Sequence, residues 1–413
     1  MGRARRGVRR QRTAPSGGRP RRTASPWCAG TGGSVSCGRD HRPRCGGAEH
    51  VRVLVWQWGR RGAGPRIAAQ LAAAFNELAD TEGLLSLSNS AEILHGAEAP
   101  PCDLPIQTYA TVAGLARRFA ASPGHIARLS GAVRSLRPDL AVCAMPGPMD
   151  WIFALALRRT RVPFAVIVHD AIAHPGDGYP LQMLLQRRFL RAADAVIALS
   201  AHVAEQVRKA RMGGKVIRGF LPPLVFGPPA ARIFAHGGPP RLLHFGRLLP
   251  YKGLDLLAAA IEYLAPAHDF ALRVVGSGPE SDDLNRLRSL ACVTVENRWV
   301  PEAEVASLLD WADALVLPYR EASQSGVAAA AVAAGRFVIA TRVGGLKEQL
   351  ASQPLGILCE PNSQSLAEAI RTFLVSPPAP RPITDPAEQW RQLAAVIARS
   401  VATKQSRPEG RTA

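Results

Sequence analysis

Two cations five residues apart could bind an anionic substrate. Arg247 and Lys252 lie in the segment GRLLPYKG (246–253), directly after the apolar run RLLHF. Glycines flank both cations and allow the backbone to approach a bound molecule closely. Two positive charges between a strand and a helix N-terminus suit a diphosphate, because the side chains offset its charge and backbone N–H groups donate to its oxygens. The alternative is a pair of solvated surface cations.

A turn of small residues is a second candidate for anion binding. Ser323, Ser325 and Gly326 precede an alanine-rich segment that is typical of a helix. The start of such a helix can hold an anion, with the serine hydroxyls as ligands. The alternative is that the serines only cap a buried helix.

The first half of the chain contains a histidine–aspartate pair. His169 and Asp170 end the apolar run VPFAVIVHD (162–170), and His174 follows closely. At the carboxyl end of a buried strand, such a pair can orient a substrate hydroxyl or contact a phosphate, whereas a lone histidine is more often structural. Earlier, the turn GRRGAGP (59–65) places Gly62 and Gly64 where the backbone either approaches a substrate or simply joins a strand to a helix.

Several classes of site are disfavoured. The Gly-x-Gly in VGSGP (275–279) has no clear third glycine or following acid, which counts against a nicotinamide enzyme, and neither a P-loop nor a Gly-x-Ser-x-Gly elbow occurs. The seven cysteines form no zinc or disulfide pattern and fit a reducing cytosol. We expect no metal, since no Asp-x-Asp or histidine-rich cluster presents itself. No apolar run approaches the length of a membrane-spanning helix.

The net charge of +19 is unevenly distributed along the 413 residues. Residues 1–47 contain twelve arginines and one acid, Asp40, so they carry +11 and leave +8 for the remaining 366 residues. This Gly/Pro/Arg-rich head has no hydrophobic period and is predicted to be disordered. A nucleic-acid-binding protein is the function that the charge alone favours, but the rest of the chain shows no aromatic–basic readout element.

The elements that must position these residues alternate between short apolar strands and helices of 10–15 residues. This pattern predicts an α/β fold with two doubly wound parallel sheets that face each other across a cleft. We predict an N-terminal domain over 50–222, a linker over 223–240 and a C-terminal domain over 241–376. A connector and a last helix over 377–400 follow, and then a disordered tail, 401–413.

The ordered motifs of the second half resemble glycosyltransferase family 4. They are GRLLPYKG, LRVVGSGPE, VENRWVPEAEVASLLDWADALVLPY, SGVAAAAVAAGRFVIATRVGGLKEQL and LGILCEPNSQSLAEAI. The resemblance covers 241–376 strongly and 50–222 more loosely. It implies the GT-B fold, with Rossmann-like domains and a C-terminal helix that crosses back to the first domain. It also implies transfer of a sugar from a nucleotide-sugar donor with retention of anomeric configuration.

The resemblance assigns roles residue by residue. Arg247 and Lys252 correspond to the pair that grips the donor diphosphate, and His169 to a histidine near the transferred sugar. These three are the predicted catalytic residues. The predicted donor-binding residues are Gly62, Gly64, Gly246, Gly276, Asn297, Arg298, Val300, Glu321, Ser325, Gly326 and Val327.

One departure from the family pattern affects the donor site. Members commonly carry two glutamates eight positions apart, and the second usually holds the donor ribose; here Ala322 and Ala330 occupy those positions, with Glu321 beside the first. Phe337 stands where proline is common. An impaired GT-B protein that binds nucleotide sugar or a protein partner is therefore an alternative. A GT-B epimerase is another, but its expected cluster of catalytic carboxylates is not evident.

The resulting hypothesis is a hexosyltransferase for polysaccharide biosynthesis. It would use a nucleoside diphosphate sugar as donor, a glycan or lipid-linked acceptor, no separate cofactor and no nucleic acid. We expect a cytoplasmic location, with peripheral contact to an anionic membrane through the arginine-bearing stretches 156–161 and 187–194 as a further option.

Overall fold

The computed structural model describes residues 50–96, 98–170, 180–228, 233–351, 353–379 and 384–405. The predicted disordered head (1–47), His174 and residues 406–413 lie outside the described residues. Ala48–Ala413 form one compact unit that contains two parallel sheets.

The first sheet belongs to the N-terminal domain. Its strands are β1 (Val51–Gln57), β2 (Thr81–Leu87), β3 (Leu140–Cys143), β4 (Phe164–Val168), β5 (Ala195–Ala198) and β6 (Lys215–Arg218). Its helices are α1 (Ala63–Asn76), α2 (Val112–Ala120), α3 (Ser122–Leu136), α4 (Asp150–Thr160), α5 (Pro180–Ala192) and α6 (Ala201–Lys209). Strands β3, β4 and β5 are buried along their whole length, because helices cover both faces of the sheet.

The second sheet belongs to the C-terminal domain. Its strands are β7 (Arg241–Phe245), β8 (Ala271–Gly276), β9 (Val293–Asn297), β10 (Ala314–Leu317), β11 (Phe337–Thr341) and β12 (Gly356–Cys359). The helices are α7 (Leu254–Leu264), α8 (Asp282–Arg288), α9 (Glu302–Trp311), α10 (Gly326–Ala333), α11 (Leu346–Ala351), α12 (Ser363–Val375) and α13 (Pro386–Gln405).

Both sheets are parallel throughout, and in each the strand order reverses once. The orders are β2-β1-β3-β4-β5-β6 and β12-β11-β10-β7-β8-β9. The first order reverses between β1 and β3, and the second between β7 and β10. In open α/β sheets, ligands bind outside the carboxyl ends of the strands at such a reversal. The topology therefore marks one candidate binding position in each domain.

The last helix confirms the predicted crossing to the first domain. In α13, Leu393, Ala394 and Ile397 are buried in the same core cluster as residues of β1 and α1. The Trp390 indole donates to the Pro223 carbonyl oxygen at 2.9 Å, and Arg391 pairs with Glu77 of the N-terminal domain at 2.9 Å. The helix continues to Gln405, so residues 401–405, which were predicted to be disordered, are helical.

Apolar runs in the sequence mark the other strands, but β2 has no such run and was not predicted. Its sequence, TEGLLSL, begins with polar residues and lacks the apolar run that marks the neighbouring strands. Pairing with β1 over its full length makes it the outer strand of the first sheet, so tertiary pairing overrides the weak local pattern. Helices α2 and α3 were also not predicted.

Candidate active site

A cavity of about 590 Å³ lies where the two strand-order reversals face each other. The N-terminal domain lines it with the turn after β1 and the ends of β3 and β4. The C-terminal domain lines it with residues that follow β7, β8, β9 and β10. The predicted site residues that line this cavity are Gly62, Gly64, His169, Gly246, Arg247, Lys252, Gly276, Val300, Glu321, Ser325, Gly326 and Val327.

Arg247 and Lys252 lie in the connection between β7 and α7, where Lys252 ends a short 3₁₀ turn, Pro250–Lys252, and Arg247 precedes it. Arg247 donates through Nη2 to the Tyr251 hydroxyl at 2.7 Å. The Lys252 ammonium lies 3.6 Å from the centroid of the Tyr319 ring and 5.0 Å from that of Tyr251. Aromatic faces attract cations, so the rings of Tyr251 and Tyr319 help to position these two side chains at the cavity wall. Burial raises the pKa of Tyr319 to about 12, which keeps its hydroxyl protonated at neutral pH.

The glycines beside these cations allow two backbone segments to pack together. A Cβ atom added at Gly253 would lie 1.8 Å from the Pro318 carbonyl oxygen, and one added at Gly276 would lie 1.6 Å from that of Gly246. Gly253 has φ +70°, a left-handed conformation that favours glycine. The close approach at these two glycines is therefore between segments of the protein itself.

The turn before α10 combines capping with donors that face the cavity. The Ser325 hydroxyl accepts from the Ala328 N–H at 3.1 Å, as the capping alternative predicts. The Gln349 side chain also holds the Ser325 backbone, accepting from its N–H at 2.8 Å and donating to its carbonyl at 2.9 Å. Gly326 and Val327 open the helix, so their N–H groups have no acceptor within it and can meet an anion.

His169 lies at the end of β4 and contacts the opposite domain. Its Nδ1 accepts from the Gln324 amide at 2.8 Å. Burial lowers the pKa of His169, although the Asp170 carboxylate and the Ala144 carbonyl act in the other direction. The ring is therefore neutral at pH 7 and can donate from one nitrogen only. Asp170 also lines the cavity, and its backbone carbonyl accepts from the Gln186 amide at 3.2 Å.

Asn297 and Arg298 do not line the cavity. The Asn297 side chain bonds both the N–H and the carbonyl of Gly278, each at 3.1 Å. The Arg298 guanidinium pairs with Glu296 at 3.0 Å and Glu304 at 2.7 Å. These two residues stabilise the turns after β8 and β9, and the next two residues, Trp299 and Val300, line the cavity.

Ala322 and Ala330 both line the cavity, so no carboxylate enters it from the two positions where the family usually has glutamates. Carboxylates that do line it come from Glu92, Asp170, Glu302 and Glu321. Sequence reasoning missed Glu92 and Glu302. Glu92 follows β2, the strand that was itself missed, and Glu302 begins α9 without a local feature that marks it as part of a site.

One edge of the cavity is closed by ionic contacts between the domains. Arg66 of α1 donates through Nε to Glu302 of α9 at 2.7 Å. Glu92 accepts from the Glu302 N–H at 3.3 Å and pairs with Arg61 at 3.0 Å. The Arg61 guanidinium also lies 5.4 Å from the centroid of the Trp299 ring. A carboxylate of the N-terminal domain thus meets the first N–H of a C-terminal helix.

A second contact between the domains reverses that arrangement. Glu348 of α11 accepts from the N–H groups of Ala201 at 2.7 Å and His202 at 3.1 Å, at the start of α6. The Ser200 hydroxyl donates to the Ser323 carbonyl at 3.2 Å. Each domain therefore places a glutamate at a helix N-terminus of the other, where a negative charge is favourable.

Two protein-family models match the chain, one in each domain. Residues 46–218 match the family described as Glycosyltransferase Family 4, and residues 239–376 match the one described as Glycosyl transferases group 1. The chain belongs to glycosyltransferase family 4. Among the residues that the structure describes, no helix is both long and apolar enough to cross a membrane.

Individual relatives agree with the family match. A glycogen synthase from Mycobacterium tuberculosis is 29% identical over 268 residues, which cover 60% of this chain and 63% of the synthase. The chain thus spans less than two thirds of that relative. A 2-deoxystreptamine glucosyltransferase from Streptomyces kanamyceticus is 27% identical over 253 residues, covering 55% of this chain and 65% of that enzyme. The impaired alternative finds no support in these relatives.

The solved structures establish the fold. HepE from Anabaena, crystallised with UDP and glucose, superposes with a TM-score of 0.59 at 18% identity, over 86% of this chain and 100% of that one. The two parallel sheets and this likeness confirm the predicted GT-B architecture.

Proposed function

We propose that this protein is a retaining hexosyltransferase that moves a sugar from a nucleoside diphosphate sugar to a hydroxyl of a glycan or lipid-linked acceptor. The observation that supports it most is the pair Arg247 and Lys252 at the wall of the interdomain cavity, opposite His169. The names of the relatives support transfer of a hexosyl group, since they include a glycogen synthase and a glucosyltransferase.

The two cations would act on the leaving group. As the bond between the anomeric carbon and the diphosphate breaks, negative charge accumulates on the diphosphate, and preorganised positive groups stabilise that charge most in the transition state. Arg247 and Lys252 would supply the charge, and the N–H groups of Gly326 and Val327 would supply further donors. His169, neutral at pH 7, would orient the sugar by hydrogen bonding.

The first experiment identifies the donor and tests the cations. A thermal-shift panel of UDP-, GDP- and ADP-sugars should show stabilisation by one class.

Replacing Arg247 and Lys252 together with alanine should lower transfer by about a thousandfold or more, because loss of one electrostatic donor typically costs 10²–10³-fold. The matched control replaces Lys209 and Arg371, two exposed cations outside the cavity, and should keep full activity. Unchanged turnover in the first double variant would contradict the assignment.

A second experiment tests retention. Proton NMR of the freshly formed product should show the same anomeric configuration as the donor sugar. Inverted product would contradict the retaining part of the proposal and leave donor binding intact.

Adjacent arginines support peripheral membrane contact. Arg158 and Arg159 of α4 and Arg187, Arg188 and Arg191 of α5 are exposed on helices that pack together. A cluster of this kind attracts anionic lipid, and the attraction weakens with salt. Co-sedimentation with phosphatidylglycerol vesicles at low salt, lost at high salt and absent with phosphatidylcholine, would support it. Equal recovery with both lipids would show that these are ordinary solvated helix faces.

A further inference from the structure

His169 and Gln324 form a hydrogen-bonded pair in the wall of the cavity. His169 comes from the N-terminal domain and Gln324 from the turn before α10 in the C-terminal domain, and both line the cavity. The Gln324 Nε2 donates to the His169 Nδ1 at 2.8 Å. The pair therefore exists only while the two domains face each other as they do in this structure.

This contact determines which nitrogen of the imidazole carries the hydrogen. Nδ1 accepts a hydrogen bond, so it has no hydrogen of its own, and burial keeps the ring neutral at pH 7. The hydrogen must then be on Nε2. Gln324 is thus a positioning residue for His169, since it makes Nε2 a hydrogen-bond donor.

Two polar atoms of the pair have no partner among the described residues. These are His169 Nε2 and Gln324 Oε1, both buried. The Ala144 carbonyl lies close enough to raise the pKa of the ring, but it is not positioned for a well-formed hydrogen bond to Nε2. A buried donor or acceptor without a partner is destabilising, so each such atom calls for an explanation. Here one is a donor and one an acceptor, and their residues line the same cavity.

We propose that Gln324 is a specificity-determining residue that recognises hydroxyl groups of the transferred sugar together with His169. This inference rests on the proposed function. A sugar hydroxyl donates to Gln324 Oε1, and a hydroxyl of the same ring accepts from His169 Nε2–H. The sugar is the part of the donor that reaches them, because the N-terminus of α10, where the diphosphate would lie, begins two residues after Gln324. Ala322 in the same turn contributes no acceptor.

The test compares ligands with and without the sugar. Binding of UDP-glucose, GDP-mannose and ADP-glucose is measured against binding of UDP, GDP and ADP, first with the unmodified protein and then with Gln324→Leu. Leucine keeps the approximate volume and removes both amide atoms. We expect the variant to bind the nucleotide sugar about tenfold more weakly and the nucleoside diphosphate as before. A donor that lacks the recognised hydroxyl should bind both proteins equally.

A second glutamine provides the matched control. Gln206 also pairs with a histidine, His202, at 3.0 Å, and its Oε1 is also buried without a partner, but neither residue lines the cavity. Gln206→Leu should leave the difference between the two kinds of ligand unchanged. Equal melting temperatures of the two leucine variants would show that the effect is not misfolding, and Gln324→Asn serves as a second variant if Gln324→Leu does not fold.

The outcomes separate this inference from the proposed function. If the unmodified protein binds none of the six nucleotides, the proposed function is wrong and this inference falls with it. If it binds nucleotide sugars and Gln324→Leu binds them equally well, or loses sugar and nucleoside diphosphate alike, only this inference is wrong. Gln324→Glu adds an independent readout, because a carboxylate opposite Nδ1 should raise the pKa of His169 measured by NMR titration. No change in that pKa would contradict the positioning role.

Discussion

Gly253 and Gly276 of the C-terminal domain and Gly62 of the N-terminal domain have different surroundings near the cavity. In the C-terminal domain, Gly253 and Gly276 allow backbone segments to touch, since an added Cβ atom would lie within 1.8 Å of a carbonyl oxygen at either position. In the N-terminal domain, Gly62 also has a positive φ, +83°, but a Cβ atom added there would meet nothing within 4 Å. The first kind of glycine maintains the fold, and the second leaves space for a ligand beside the backbone.

Glycines of the first kind constrain the sequence more strongly than glycines of the second kind. Glycines required by backbone packing must occur at fixed distances from the strands, so they form dense motifs. The N-terminal wall contains both kinds, since a Cβ atom added at Gly64 would lie 2.9 Å from the Gln57 side chain.

The largest expected effect comes from breaking a packing glycine. Gly253→Ala combines left-handed strain of about 1–2 kcal/mol with a clash against the Pro318 carbonyl, and should lower the free energy of unfolding by about 3–5 kcal/mol. Gly237 is the matched control, with φ +68° and nothing within 4 Å, so Gly237→Ala should cost only the strain. Urea denaturation measures both. Equal losses would remove the distinction between the two kinds of glycine.

Acid should affect the two domains in opposite directions. Burial lowers the pKa of His244, on β7, to about 4, so the folded C-terminal domain disfavours the proton and loses about 3 kcal/mol as the pH falls from 6.5 to 4. Burial raises the pKa of Asp150, at the start of α4, to about 6 from 3.8. The N-terminal domain should therefore gain about 3 kcal/mol as the pH falls through the same window.

Hydrogen exchange resolved by domain measures this opposition. The amides of β7 should lose protection on acidification, and those of β3 should gain it. His244→Gln should abolish the first trend and Asp150→Asn the second. Parallel loss of protection in both domains would show that neither group controls the response to acid.

A smaller effect on stability, with a clear effect on activity, is expected at Gly62. Gly62→Ala adds strain of about 1–2 kcal/mol and no clash within the protein. Because the added methyl group enters space at the cavity, kcat/KM should fall about tenfold while the unfolding profile shifts as it does for Gly237→Ala. Unchanged kinetics would mean that Gly62 serves only the strand-to-helix connection.

The smallest effect concerns the reciprocal caps between the domains. Glu348→Gln keeps one acceptor for the N–H groups of α6 but removes the negative charge, and should lower the unfolding free energy by about 1 kcal/mol. Glu92→Gln tests the reciprocal cap, in which Glu92 accepts from the first N–H of α9. Glu368→Gln, which loses only an exposed pair with Arg371, is the control and should change stability by less than about 0.5 kcal/mol. If all three are equal, the interdomain caps contribute no more than surface charges.

Much of the fold could be predicted because its signals are local. Buried parallel strands such as LAVC and FAVIV are apolar along their whole length, and each is followed by a helix. Strand β2 was not predicted because its sequence lacks such an apolar run and it forms a strand by pairing with β1. For the same reason Glu92, which follows β2 and lines the cavity, could not be predicted.

The amino-acid sequence by itself determined the succession of strands and helices, the division into two α/β domains and the positions of Arg247, Lys252 and His169 at strand ends. Only the tertiary structure decided which residues meet across the cavity. The contacts of Gln324 with His169, Arg66 with Glu302 and Glu348 with α6 join positions more than 140 residues apart. No periodicity or spacing encodes such pairs, because they arise only where the two domains face each other.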